Sequence, residues 1–171
     1  MTRLAPSATL FASLIAASLL SACQEEAAST APDPSPLTPE VLAHYCMMNI
    51  SEHPGPKAQI YLEGNPDPIF FAQVRDALTY LHNAEQDGYL AAFYVNDMSS
   101  VPWEEPGPEN WIMAETAHYV VGSTKRGGMG APEIAPFSDP AAAARFAAQG
   151  PAHCVGHGAF AVLLGVDFPD F

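Results

Sequence analysis

The 171-residue chain carries 19 acidic and 6 basic side chains, and its formal net charge is −13 at pH 7 with neutral histidines. So acidic a surface argues against nucleic acid as a partner, because the phosphate backbone is bound by basic proteins. The acidic residues are dispersed along the sequence, which indicates a solvated surface and not a dedicated acidic site. The length fits one domain of ordinary size or two very small ones.

The first 22 residues have the features of a secretory signal. Arg3 makes the start positive, residues 10–20 are apolar, and Leu20-Ser21-Ala22-Cys23 follows. The apolar run is too short to span a bilayer as a helix. Its ending resembles a bacterial lipobox, which implies that Cys23 is acylated and becomes the mature N-terminus; an ordinary signal with a coincidental cysteine is the alternative. By the same resemblance, Gln24 implies a periplasm-facing anchor in the outer membrane of a Gram-negative host.

Composition divides the rest of the chain into three stretches. Residues 23–39 are rich in Ala, Ser, Pro and Glu, and they are predicted to be a flexible tether because they cannot bury a core. Residues 40–97 are predicted to form a first folded unit. Residues 98–171 are predicted to hold a connector and a second unit. The connector contains Trp103, for which both a binding interface and simple packing remain open.

The two predicted units have the same order of elements. In the first, strands are expected over residues 58–62 and 69–71, a helix over 72–82 and a strand over 90–95. In the second, strands over 118–121 and 134–137 flank a long Gly-rich loop, and a helix follows over 140–149. The sequence therefore predicts an α+β fold of two ββαβ units related by a diverged duplication.

Sulfur-bearing residues cluster just before the first predicted strand. Cys46 and Met48 stand two residues apart with Met47 between them. A thiolate with thioethers is the ligand set that a soft monovalent cation such as Cu(I) prefers. The alternative is that these side chains fill the core, as Cys and Met commonly do.

The remaining cysteines leave a choice. With Cys23 lipidated, Cys46 and Cys154 could form one disulfide in an oxidising envelope. If they do not, an exported protein keeps a free thiol, and metal binding would explain why.

Several motifs, in order, resemble the signature of the NosL family over residues 43–149. These motifs are Tyr45-Cys46-x-Met48-Asn49-Ile50, Glu52 to Ile60, Val74-Arg75-Asp76-Ala77, Tyr94 to Met98, Trp111, Tyr119 to Ser123, Arg126-Gly127-Gly128-Met129-Gly130 and Pro136-Phe137. NosL proteins are lipoprotein copper chaperones encoded with nitrous oxide reductase. Their fold, two homologous ββαβ units related to organomercurial lyase, agrees with the repeat described above.

The resemblance implies a protein that is not an enzyme. It would bind Cu(I) and deliver it for the copper-sulfide centre of nitrous oxide reductase, through that enzyme or its membrane maturation machinery. Cys46 and Met48 match the family's Cys-x-Met, and Met129 matches the methionine of its Gly-Gly-Met-Gly loop. Two loops meeting between the units could then close a three-sulfur site.

Histidines near these motifs are additional candidates. His53, and with less support His44 and His118, could complete the site as imidazole donors. A lone histidine is more often structural, so both interpretations stay open for each.

Two departures from the family pattern stand out. Met47 replaces a glycine that is common between Cys and Met, and the resemblance fails after Gly150. The tail is therefore expected to be divergent or frame-shifted. There His153-Cys154-x-x-His157 could form an accessory metal site, while residues 159–166 could form a strand.

Two other classes of function remain open. One is an organomercurial-lyase-like enzyme, for which a shared fold alone is weak support. The other is a redox or structural lipoprotein with a Cys46–Cys154 disulfide.

Overall fold

Two antiparallel sheets and two helices make up the part of the chain that this computed structural model describes, residues 31–83 and 87–156. The first half contains strands β1 and β2, helix α1, and strands β3 and β4. The second half contains strands β5 and β6, helix α2, and strand β7. In chain order their bounds are Ala58–Leu62 (β1), Ile69–Phe71 (β2), Val74–His82 (α1), Leu90–Asn96 (β3), Trp111–Met113 (β4), His118–Val121 (β5), Ala135–Phe137 (β6), Pro140–Ala147 (α2) and His153–Val155 (β7).

The three strands of the second sheet repeat the arrangement of the first three strands of the first sheet. The first has the strand order β2-β1-β3-β4 and the second β6-β5-β7, so the first strand of each half lies in the middle of its own sheet. All pairs are antiparallel. The α+β class and the two ββαβ units predicted from the sequence are confirmed.

Both halves contribute to one hydrophobic core. Helix α1 buries Val74, Ala77 and Leu78, as its apolar spacing predicts, and these pack in the same cluster as Tyr119 and Ile134 of the second half. Because burial of apolar surface stabilises by roughly 25 cal/mol per Å², a shared cluster ties the two halves together energetically.

A second cluster contains the connector tryptophan. Asp139 caps α2 by accepting a hydrogen bond from the Ala141 amide at 2.8 Å, with Pro140 in the first turn. Phe146 of α2 stacks on Trp103 with ring centroids 5.8 Å apart. Trp103 is 8% exposed and belongs to this cluster. Of the two interpretations left open for Trp103, the structure supports packing.

Strand β4 lies where the sequence predicted only the end of the connector. Trp111–Met113 pairs with β3 through Tyr94, Val95 and Asn96, so the connector returns to complete the first sheet. Such a short strand shows no alternation of apolar and polar residues, which is why its sequence carries no strand signal.

The predicted tether is partly bound to the first half. Ser35 forms two hydrogen bonds with the buried Gln59 side chain, at 2.9 and 3.0 Å. The hydroxyls of Tyr61 and Tyr94 donate to the carbonyls of Asp33 and Pro32, at 3.0 and 2.7 Å. In the described structure, residues 32–35 of the predicted tether are therefore held by the first half. These residues are held by hydrogen bonds that involve the backbone. They can therefore bind the first half although they have few apolar side chains.

The last described strand differs from the prediction for the tail. His153–Val155 forms β7 and pairs with β5, which completes the second ββαβ unit. Residues 159–166, predicted as a strand, lie outside the described residues, as do Cys23 and His157. Within residues 31–83 and 87–156, no helix has the length and apolar character needed to cross a bilayer.

Candidate metal centre

Cys46 lies in a tight turn attached to the edge of the first sheet. The Ala43 amide donates to the Met48 carbonyl and the Met47 amide to the Ala43 carbonyl, both at 2.9 Å. The His44 amide donates to the Phe70 carbonyl of β2 at 2.8 Å, which fixes the turn to that strand. Backbone bonds therefore hold the Cys-x-Met segment without involving either sulfur atom.

Met47 has a backbone conformation that explains the glycine of the family pattern. Its φ is 56°, and within the described residues it is the one non-glycine residue with positive φ. An L-residue there costs roughly 1–2 kcal/mol, whereas glycine costs little. The Met47 side chain is 66% exposed, so the strain is not offset by burial.

The sulfur side chains are accessible from solvent. Met48 and Met129 are 48% and 44% exposed, and Cys46 is half-buried at the edge of a small cluster of Ala43, Ile50 and Ala72. Met side chains usually lie in the core. Exposed thioethers on two loops are therefore poor core residues and would be accessible to a metal ion.

The Gly-rich loop of the second half lies directly against the first half. An ideal Cβ placed on Gly128 would be 2.6 Å from Cβ of His53 and 3.0 Å from the Ala72 carbonyl oxygen. One placed on Gly127 would collide with Glu133 Oε2 and lie 2.7 Å from Gln73 Oε1. Only glycines allow so close an approach, since a real Cβ is essentially never found within 3.0 Å of such atoms.

Ala72 brings the two loops to one place. It belongs to the cluster on which Cys46 packs, and its carbonyl lies beneath Gly128, one residue before Met129. The Met129 loop thus lies on Ala72, and Cys46 packs against the small cluster to which Ala72 belongs. The ligand roles of Cys46, Met48 and Met129 remain predictions.

The three candidate histidines differ. His53 is half-buried beneath Gly128, and its Nε2 atom is buried without a hydrogen-bond partner in the described structure. His53 thus lies against the Met129 loop. It also lines a cleft of about 310 Å³ whose other walls include residues 37–39 and 104–108.

His44 packs in an aromatic group, with its ring centroid 5.6 Å from Phe71 and 5.4 Å from Tyr80. His118 lies in β5, in register with Phe137.

Two buried ionisable residues lie near the Met129 loop, Glu133 against Gly127 and Lys57 beside Pro54 and Gly55. Burial raises the pKa of Glu133 to about 8, although the amides of Ile134 and Arg75 donate to its Oε1 and lower it. Burial lowers the pKa of Lys57 to about 8, against the opposing effect of Glu133. Lys57 Nζ donates to the carbonyls of Pro54 and Gly55. Near neutral pH the carboxyl is therefore mostly protonated and the amine mostly charged.

Nitrogen, oxygen and thiol ligands alone do not form a site in the described structure. No three His, Cys, Asp or Glu side chains in residues 31–83 and 87–156 are grouped to hold a metal ion. His153 and Cys154 are exposed on β7. Cys46 and Cys154 are both free thiols, so the alternative disulfide is not formed. A three-ligand protein site in this part of the chain would need methionine or another side chain.

Two buried residues that support the Met129 loop were not singled out from the sequence. Gln73 and Glu133 are each 2% exposed and lie against Gly127. No local pattern identifies them, because their partners are distant in the chain; Gln73, for example, contacts a residue 56 positions away.

Together, the fold and the site define a class: a small α+β protein of two ββαβ units, with accessible thiol and thioether groups on two converging loops. The family model for NosL matches residues 34–158, and the chain belongs to the NosL family. The match includes β7, so the expectation that the resemblance ends at Gly150 is wrong. A short, exposed edge strand left too few apolar residues for the pattern to be seen.

Relatives of known character extend this match. The chain is 56% identical to the copper-binding lipoprotein NosL of Achromobacter cycloclastes over 133 residues, covering 77% of this chain and 68% of that one. It is 31% identical to the copper-binding lipoprotein NosL of Stutzerimonas stutzeri over 131 residues, covering 77% and 67%. The crystal structure of the copper chaperone NosL from Shewanella denitrificans superposes with a TM-score of 0.68 at 31% identity, covering 74% of this chain and 93% of that one.

Proposed function

We propose that this protein is a lipid-anchored Cu(I) chaperone that binds copper through Cys46, Met48 and Met129. The observation that carries the proposal is that the Met129 loop lies on Ala72, a member of the small cluster against which Cys46 packs. Relatives named copper-binding lipoproteins and a copper chaperone support it. A thiolate with two thioethers suits Cu(I), whereas harder divalent ions prefer nitrogen and oxygen ligands.

The placement of these donors suits transfer as well as binding. Exposed donors on loops allow an acceptor to approach and replace them one at a time. Because the thiolate is the ligand, Cu(I) binding releases the Cys46 proton, and acid favours release of the metal. His53 is the remaining candidate donor, since it lies beneath the same loop with an unpartnered Nε2.

The proposed destination is nitrous oxide reductase or its membrane maturation machinery, for assembly of the copper-sulfide centre. The proposed location is the periplasmic face of the outer membrane, with Cys23 carrying the lipid. Neither role requires catalysis by the chain itself, and the relatives' names describe binding and not an enzyme.

The first test is a Cu(I) titration of the soluble domain against a competing chelator. Cys46→Ser should weaken one-to-one binding by more than about 100-fold, since even the loss of outer-shell partners costs 10–100-fold. Met129→Ala should weaken it by a smaller factor. Matched controls are Cys154→Ser, which removes the exposed thiol of β7, and Met113→Ala, which removes a half-buried thioether of β4.

Both control variants should bind copper as the wild type does. Binding lost in Cys154→Ser and kept in Cys46→Ser would overturn the proposed site and move the metal to the His153-Cys154 segment. Delivery is tested separately by the copper content of nitrous oxide reductase in cells that carry Cys46→Ser, which should fall.

A further inference from the structure

Gln73 is a buried glutamine at the N-cap of α1 whose side chain does not cap its helix. It is 2% exposed and makes no side-chain cap hydrogen bond. Glutamine is not among the residues favoured at this position, where Ser, Thr, Asp and Asn satisfy the free amides. Its side chain is therefore committed to other partners.

Those partners connect the two halves of the protein. Gln73 Oε1 accepts a hydrogen bond from the Met129 amide at 3.2 Å, across 56 residues of sequence. Gln73 Nε2 donates to Asp76 Oδ1 at 2.8 Å, which holds the amide group in one orientation. One end of the side chain thus binds the loop, and the other is fixed to α1.

We infer that Gln73 is a positioning residue for the Met129 thioether. It holds the backbone of Met129 against the first half, next to Ala72, which belongs to the cluster against which Cys46 packs. Removing the bond leaves the loop free to sample other positions, and copper must then restrict it on binding. The inference rests on the proposed function, because Gln73 has this role only if Met129 is a copper ligand.

The test uses Gln73→Leu, which keeps most of the side-chain volume and removes both hydrogen bonds. Its Cu(I) affinity, measured by chelator competition, should fall about tenfold, the lower end of the range for outer-shell partners. Gln59→Leu is the matched control. Gln59 is also buried, and its side chain makes two hydrogen bonds, but they hold Ser35 and not the loop. Its copper affinity should be unchanged.

A double-mutant cycle separates positioning from general loss of structure. In a Met129→Ala background, Gln73→Leu should weaken copper binding no further, because the thioether that it positions is gone. X-ray absorption at the copper edge should show fewer sulfur neighbours in Gln73→Leu than in wild type. A full second loss in the double mutant would overturn the inference.

A second variant keeps the test available if Gln73→Leu does not fold. Asp76→Ala leaves Gln73 in place but removes the acceptor that orients it, so a smaller weakening is expected, again absent in the Met129→Ala background. If Met129→Ala alone leaves affinity unchanged, the ligand assignment of the proposed function fails. If Met129→Ala weakens binding but neither Gln73→Leu nor Asp76→Ala does, only the positioning role fails.

Discussion

The two halves have the same ββαβ order but differ in the link between their first two strands. In the first half, residues 63–68 make a short turn between β1 and β2. In the second, residues 122–134 form a long loop between β5 and β6, and this loop brings Met129 against the first half. The first half instead places its sulfur atoms before β1, in the Cys46 turn.

This difference indicates a division of roles within one duplicated fold. The first half has the longer strands and encloses most of the shared core, so it provides a firm base. The second half provides a loop whose glycines let it lie flat on that base. The candidate site thus depends on contact between the long loop of the second half and the segment before α1 in the first half.

The largest effect is expected from a methyl group added where the loop meets its base. Gly128→Ala would place Cβ 2.6 Å from His53 and 3.0 Å from the Ala72 carbonyl. Overpacking of this kind should lower the free energy of unfolding by about 3 kcal/mol and displace Met129, weakening Cu(I) binding. Urea denaturation and chelator competition measure the two effects.

The corresponding turn of the first half supplies the control. Gly64 has a φ of +76° but no atom within 4 Å of an ideal Cβ. Gly64→Ala should cost only the conformational strain, about 1 kcal/mol, and leave copper binding unchanged. Equal effects of both substitutions on copper binding would contradict the proposed difference between the two links.

A smaller, pH-dependent effect is expected from the buried carboxyl of the second half. The folded-state pKa of Glu133 is about 8, above its ordinary value of 4.5, so its contribution to stability is full below pH 4.5 and is lost as the pH rises towards 8. Compared with Glu133→Gln, the wild type should lose about 2 kcal/mol of unfolding free energy between pH 6 and 8.

Lys57 does not produce this trend. Its folded-state pKa of about 8 is below the ordinary 10.5, so its contribution is present above pH 10.5 and is lost as the pH falls towards 8. Denaturation across pH, with the exposed Glu105→Gln as control, tests the assignment. A difference between wild type and Glu133→Gln that stays flat from pH 5 to 8 would show that Glu133 is not the responsible group.

The smallest effect is expected at the bound part of the tether, which has no counterpart on the second half in the described structure. Tyr94→Phe removes the hydroxyl that donates to the Pro32 carbonyl at 2.7 Å. It should cost no more than about 1 kcal/mol and speed hydrogen exchange at the Ser35 amide. Tyr119→Phe, which removes a bond to Ala114 in the second half, should leave Ser35 exchange unchanged. Unaltered exchange in Tyr94→Phe would mean that this bond does not hold the tether.

Periodicity predicted the regular parts of the fold well. Strands β1 and β5 have the predicted bounds, and α1 begins two residues later than expected, after Gln73. Strands β4 and β7 were missed because three-residue edge strands have too few positions to show alternation. The bound tether was missed because its partners are the polar side chains of Gln59, Tyr61 and Tyr94, and composition alone does not show them.

The candidate site was only partly predictable. Soft-ligand chemistry singled out Cys46 and Met48, and the family resemblance added Met129. The role of Gly127 and Gly128 depends on the residues that lie beneath them. The positive φ of Met47 is likewise a feature of the folded turn. Contacts between residues far apart in the chain are set by tertiary packing, so a single sequence without its fold does not contain them in readable form.

The bound part of the tether also bears on how far a lipid anchor at Cys23 would let the domain travel. If Cys23 carries the lipid, the chain from Cys23 to Pro32 spans at most about 30 Å when fully extended, whatever path it takes. A tether free to residue 39 would have allowed about 60 Å. A partner in the same membrane would then meet the Cys46 turn and the Met129 loop at a high effective concentration, whereas one beyond this layer would not. By holding the tether, the side chains of Gln59, Tyr61 and Tyr94 thus shorten its free length. A shorter tether would limit the acceptors that the domain could reach.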